Sequence, residues 1–82
     1  MNDLQMRLAK CFTAVFPKLT ASEIPGATMA SIEGWDSLAT VTLMTVVEEE
    51  FGTTIDPEEL EQLQSFDAYV RRLSGESEPI AN

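Results

Sequence analysis

The strongest constraint on the fold is a helix whose two ends are both written into the chain. Asp36 stands just before residues 37–51 and Gly52 just after them. An aspartate at a cap position accepts a hydrogen bond from a backbone N–H two or three residues on. A glycine past the last turn takes the left-handed conformation that ends a helix. Ser37 is then the first helical residue, where free N–H groups and the positive end of the helix dipole favour a nearby anion, so its hydroxyl is well placed to carry a phosphate group. On a wheel of about 100° per residue, Ala39, Leu43, Val46, Val47 and Phe51 cluster as the expected core face. Ser37, Val41, Met44 and Glu48 cluster as a second face that carries a hydroxyl, apolar side chains expected in solvent, and a charge. Glu48, Glu49 and Glu50 crowd the helix C-terminus, where the dipole disfavours negative charge by a few tenths of a kcal/mol each. Residues that break a local rule often mark function. A solvated, solubilising helix end explains the glutamates equally well.

The rest of the chain supplies partners for this helix. Leu4, Leu8, Cys11, Phe12 and Val15 recur at helical spacing and predict a first helix over residues 3–16, with Arg7, Lys10 and Thr13 on its outer side. Pro17 stops it, because the residue before a proline is pushed out of helical geometry. Residues 17–35 form a long connection broken by Pro17, Pro25, Gly26 and Gly34. Ile24, Met29 and Ile32 are expected to pin it to the core, with a helical turn over Thr28 to Ser31. A connection this long also lets the helices it joins run parallel. Asp56, Pro57 and Glu59 spell a capping box with proline at the first helical position. They predict a short third helix over residues 56–62, with Ile55 and Leu60 at staple spacing. Ser65 caps a fourth helix over residues 66–73, whose apolar stripe is Phe66, Tyr69, Val70 and Leu73. The polar tail from Ser74 to Asn82 has no partner stripe and is expected to be disordered. The expected architecture is all-α: a small four-helix bundle with a long loop between helices 1 and 2 and a short third helix.

Composition narrows the function. Eighty-two residues make one domain, which buries about 60–65% of its unfolded surface. With 14 acidic and 5 basic residues the net charge is −9, a surface that repels nucleic acid and anionic lipid and favours partners with basic patches. The chain has no histidine, so a Ser-His-Asp triad and the usual zinc sites are excluded. Asp36 beside Ser37 does not restore a hydrolase, since a carboxylate of pKa about 4 is a poor base for a serine hydroxyl. The glycines stand too far apart for a phosphate-binding loop. The one cysteine, Cys11, cannot form an internal disulfide and fits a small core residue better than a reactive thiol. This agrees with a reducing, cytoplasmic setting. No basic-then-apolar leader and no run of about 20 apolar residues is present, so an unprocessed protein without a membrane span is expected.

Asp36-Ser37-Leu38 follows Gly34 near mid-chain and opens an amphipathic helix that ends Glu48-Glu49-Glu50-Phe51-Gly52. A capped short helix from Asp56 and a Ser65-Phe66 helix start follow it. In this combination, over about residues 3–73, the chain resembles the acyl carrier proteins. The resemblance implies a carrier domain over residues 1–73 that catalyses nothing and binds no metal. It implies that Ser37 is esterified with 4′-phosphopantetheine by a separate phosphopantetheinyl transferase, with Asp36 read by that transferase. The arm's thiol would hold acyl or aminoacyl groups as thioesters, shield them in a cleft between helices, and present them to loading and processing enzymes. Leu38, Val41, Met44 and Glu48 would form the docking contact of a monomeric carrier, apolar with an acidic rim that speeds encounter and selects partners.

The chain also departs from the pattern of fatty-acid carriers. Their acidic residues directly after Asp-Ser-Leu and three positions later are here Ala39 and Thr42, and Trp35 replaces a small residue before the aspartate. A freestanding carrier of a specialised fatty-acid, polyketide, lipid-modifying or aminoacyl pathway is therefore expected. Trp35 is expected to anchor the loop against the core. The competing reading is a carrier-like interaction module that never receives the arm.

Overall fold

A computed structural model of the chain describes residues 2–75. Three α-helices follow in order: α1 (Asp3–Val15), α2 (Ser37–Phe51) and α3 (Phe66–Ser74), with short 3₁₀ segments at Ile24–Gly26 and Pro57–Glu61. Among the described residues there is no strand, only an isolated antiparallel bridge between Thr28 and Ser65. None of these helices is long and apolar enough to cross a membrane. The expected disorder of the tail falls, from residue 76 on, outside the described residues.

Local chemistry explains each boundary. The Asn2 side chain accepts the Gln5 N–H at 2.8 Å and the Gln5 side chain returns the bond, so α1 opens on a capping box. Asp36 Oδ1 accepts the Ala39 N–H at 2.9 Å, and Gly52 closes α2 at φ 64°. At that left-handed φ any side chain would be strained. Ser65 Oγ accepts the Ala68 N–H at 3.0 Å and starts α3. The Asp56–Glu59 capping box forms as expected, but the segment it opens is a 3₁₀ helix of 5 residues. So short a piece has little room for i→i+4 bonds, and i→i+3 bonds are the usual resort. The bundle thus consists of three α-helices and a 3₁₀ helix where a short fourth α-helix was expected.

α1 and α2 run antiparallel, which corrects the parallel arrangement that the long connection permits. Arg7, early in α1, pairs with Glu50 Oε2 at 2.9 Å and stands 4.5 Å from the ring of Phe51, at the far end of α2. Phe12, later in α1, packs against Trp35, just before α2. Residues 16–36 use their length instead to cross to the base of α3. Ile24 and Ala27 are buried, the Phe66 N–H donates to the Ala27 carbonyl at 3.0 Å, and the Met29 N–H donates to the Gln64 carbonyl at 2.8 Å. The expected turn at Thr28 forms, with the Ile32 N–H donating to the Thr28 carbonyl at 3.0 Å.

The core is aromatic and centred on Phe12. Rings of Phe66, Trp35, Tyr69 and Phe16 lie at 5.3, 5.6, 5.8 and 6.2 Å from it, the first three edge-on. Such edge-to-face pairs contribute about 0.5–1.5 kcal/mol beyond their area. Arg72 grips Glu59 with both arms of its guanidinium and donates to the Thr54 carbonyl at 3.1 Å, so the 3₁₀ helix is tied to α3. Arg7, expected in solvent, is folded against α2 instead, because Glu50 and Phe51 receive it.

Candidate functional site

The site is built on the first turn of α2. Asp36 spends one carboxylate oxygen on the Ala39 N–H, and its carbonyl accepts the Thr40 N–H at 2.9 Å. The N–H groups of Ser37 and Leu38 have no hydrogen-bond partner among the described residues. The Ser37 side chain is exposed, and its hydroxyl is likewise engaged by no described residue. A primary hydroxyl therefore stands in solvent beside free N–H groups at the positive end of a 15-residue helix. That environment suits a singly charged phosphodiester. No bulky side chain and no ion pair has to move to admit one, so the residues fit a phosphopantetheine ester at this position.

Behind this turn, Trp35 holds the loop. Its indole is buried against Phe12 and Phe16, and Nε1–H donates to Thr40 Oγ1 at 2.6 Å. Thr40 Oγ1 in turn donates to the Asp36 carbonyl at 3.0 Å. Thr40 is 1% exposed yet fully satisfied, as a buried polar group must be. Trp35 is thus the expected anchor. Thr40 was not legible as a core residue, because an isolated threonine on an amphipathic helix reads as surface. The available signal was its place four residues after Asp36, where a threonine bonds back to the carbonyl one turn earlier.

This anchoring turns α2. The buried residues Thr40, Leu43, Met44 and Val47 centre roughly 45° round the wheel from the expected core face. Ala39, Val46 and Phe51 move to its partly buried margin. The expected docking face divides accordingly. Leu38 is 75% and Val41 50% exposed, whereas Met44 is 6% exposed and belongs to the core. Glu48 is not a free rim charge either, because its Oε2 accepts the Ile55 N–H at 2.6 Å and ties the chain after Gly52 to α2. Glu50 holds Arg7. The helix-end glutamates that break the dipole rule are thus partly explained by the packing. Exposed Thr42 and Thr45 bond back to the Leu38 and Val41 carbonyls at 3.2 and 3.1 Å, so the outer face of the first turns carries methyls and hydroxyls without charge.

A half-open cleft of about 650 Å³ lies between residues 15–19, residues 31–34, Glu23 and Ala39. Apolar Val15, Phe16, Leu19, Ile32 and Ala39 line it together with charged Lys18, Glu23 and Glu33. The Thr20 N–H, followed by its side chain, holds the Glu23 carboxyl below its ordinary value. Elsewhere, Cys11 is buried and burial pushes its thiol up, which makes it unreactive. Among the described residues no cluster of acidic, cysteine or histidine side chains is placed to hold a metal ion.

No curated protein and no solved structure matches the chain significantly. A family model described as the phosphopantetheine attachment site matches residues 7–73, which takes in all of α2, α3 but for its last residue, most of α1 and every side chain of the site just described. The chain belongs to that family, the acyl carrier protein domain to which 4′-phosphopantetheine is covalently attached.

Proposed function

We propose that residues 1–73 form a freestanding carrier whose arm is attached at Ser37 by a phosphopantetheinyl transferase that reads Asp36. The observation that carries this reading is the exposed, unengaged Ser37 hydroxyl beside unpaired N–H groups in the capped first turn of α2. The arm supplies a thiol that holds acyl or aminoacyl groups as thioesters. The chain's own part is to position that ester, keep the carried group on a mobile tether, and present it to loading and processing enzymes while catalysing nothing itself. A monomer in the cytoplasm suits this role.

The partner contact is Leu38 and Val41, with Thr42 and Thr45 beside them. Its lack of charge supports a specialised fatty-acid, polyketide, lipid-modifying or aminoacyl pathway, since acidic residues at the places of Ala39 and Thr42 would be needed to meet a basic partner there. Incubation with coenzyme A and a broad-specificity transferase should add the mass of one phosphopantetheine unit. Ser37→Ala should abolish the gain while leaving the melting temperature nearly unchanged, because an exposed first-turn alanine costs little. A folded, initially unmodified protein that gains no mass would favour the arm-free interaction module. Loss of folding in Ser37→Ala would make the serine structural.

A further inference from the structure

Ser37 is presented by its neighbours. Its hydroxyl and its N–H are held by no described residue, and the backbone reaches it through Gly34, at φ 89°, and extended Asp36, at φ −113°. What fixes this junction is Thr40, one turn further on. The Trp35 Nε1–H donates to Thr40 Oγ1 at 2.6 Å, and the same oxygen donates its proton to the Asp36 carbonyl at 3.0 Å. The Thr40 N–H reaches that carbonyl as well, at 2.9 Å. The Asp36 carbonyl and the Ser37 N–H belong to one planar trans peptide unit, in which they point in opposite directions. Two donors that draw the carbonyl toward the helix therefore turn the Ser37 N–H away from it. They also polarise the unit, because linked hydrogen bonds strengthen one another where the dielectric is low. Packing alone does not need this hydroxyl, since valine has nearly the same shape. A helical threonine can spend its proton on the carbonyl one turn back with no second partner. Here Oγ1 is also the acceptor of a buried indole N–H.

We propose that Thr40 is a positioning residue for attachment of the arm: its hydroxyl, fixed by Trp35, sets the direction of the Asp36–Ser37 peptide and so the place of Ser37 Oγ. The assignment rests on the carrier reading above. In attachment, Oγ forms a bond to the phosphorus nearest the pantetheine half of coenzyme A. The pyrophosphate bond to that phosphorus breaks, and the nucleotide half leaves with the second phosphate of the pair. The hydroxyl proton passes to the transferase or to water. An attacking oxygen displaced by about 1 Å can cost on the order of 100-fold in such a step. Leu38 and Val41, the exposed apolar side chains beside the serine, lie outside the relay. Its loss should therefore fall on turnover rather than on binding of the transferase.

The test uses the unloaded full chain, with coenzyme A and a broad-specificity transferase, and follows intact mass over a range of carrier concentrations. Thr40→Val keeps the shape of the side chain and removes the relay. Its kcat should fall about fivefold or more, with KM within about twofold of the parent. Thr40→Ser keeps the hydroxyl and should load within about twofold of the parent rate. Val47→Ala, about 15 Å along α2 from Ser37, controls for stability alone: it empties core space, so it should lower Tm and leave the loading kinetics unchanged. In the unloaded protein the Ser37 amide proton should move upfield in Thr40→Val and return in Thr40→Ser, which a residue that only fills the core would not cause. Should Thr40→Val fail to fold, Trp35→Phe removes the first donor of the relay and makes the same test. Parent-like loading by the folded variant, a loss confined to KM, an unmoved Ser37 amide, or an equal loss in Val47→Ala overturns the positioning role and leaves the carrier reading standing. No mass gain in the folded, initially unmodified parent overturns the carrier reading and this assignment with it.

Discussion

Tyr69 and Thr40 are both buried and polar, and they differ in what their hydroxyls touch. Thr40 accepts from Trp35 and donates to Asp36. The Tyr69 hydroxyl finds no partner among the described residues, and burial pushes the phenol well above its ordinary range. An unsatisfied buried hydroxyl costs about 1–3 kcal/mol. Tyr69→Phe keeps the ring against Phe12 and removes that cost, so it should stabilise the fold by roughly 1 kcal/mol, or about 4–8 °C in Tm for a domain of this size. Thermal unfolding of the two proteins checks this, and a lower Tm in the variant would mean that the hydroxyl has a partner in solution. The sequence placed Tyr69 on the buried stripe of its helix. It could not say that the ring's far end would meet no acceptor, because that depends on which side chains the other helices bring there.

At the scale of the element, α2 was legible in its ends and misread in its rotation. Asp36, Ser37 and Gly52 stand as expected because caps are decided by neighbours a few residues away. The face turned to the core is decided by Trp35, which draws Thr40 inward and brings Met44 with it. The contrast between Met44 and Val41 tests this. Met44→Glu buries a carboxylate without a partner and should cost about 3 kcal/mol or more. Val41→Asp lies on the exposed side and should change stability by about 0.5 kcal/mol or less, while weakening turnover by partner enzymes. Urea unfolding of both variants and a coupled loading assay separate the two effects. A stable Met44→Glu protein would restore the original face.

Across the whole molecule, the grip of Arg72 on Glu59 joins the 3₁₀ helix to α3. The Arg72 hydrogen bond is the main cause that lowers the Glu59 carboxyl, against a smaller opposing effect of burial. A carboxyl lowered on folding contributes stability above its unfolded value and loses it as pH falls through the folded value. Glu59→Gln should therefore cost up to about 1 kcal/mol at neutral pH. The difference from the parent should shrink as pH drops below the ordinary glutamate value of 4.5. Denaturation at a series of pH values reads it directly. A difference that stays constant into acid would show that packing, not charge, joins these elements.

What the sequence determined by itself was everything set by short-range chemistry: the starts at Asp36, Asp56 and Ser65, the stops at Pro17 and Gly52, the all-helical class, and the serine that heads α2. It also exposed the absence of histidine, which rules out a Ser-His-Asp triad and any histidine-ligated zinc site. What only the tertiary structure decided was long-range. Antiparallel packing of α1 on α2 joins Arg7 to Glu50 across most of both helices. The connection spends its length reaching Ala27 and Met29 to the base of α3. Glu48 serves the Ile55 N–H rather than solvent, and a cleft opens where residues 15–19 and 31–34 meet Ala39. Periodicity reports that a helix has an apolar side, but the burial of any one side chain is a property of the surfaces that meet it. Those surfaces here come from parts of the chain far apart in sequence.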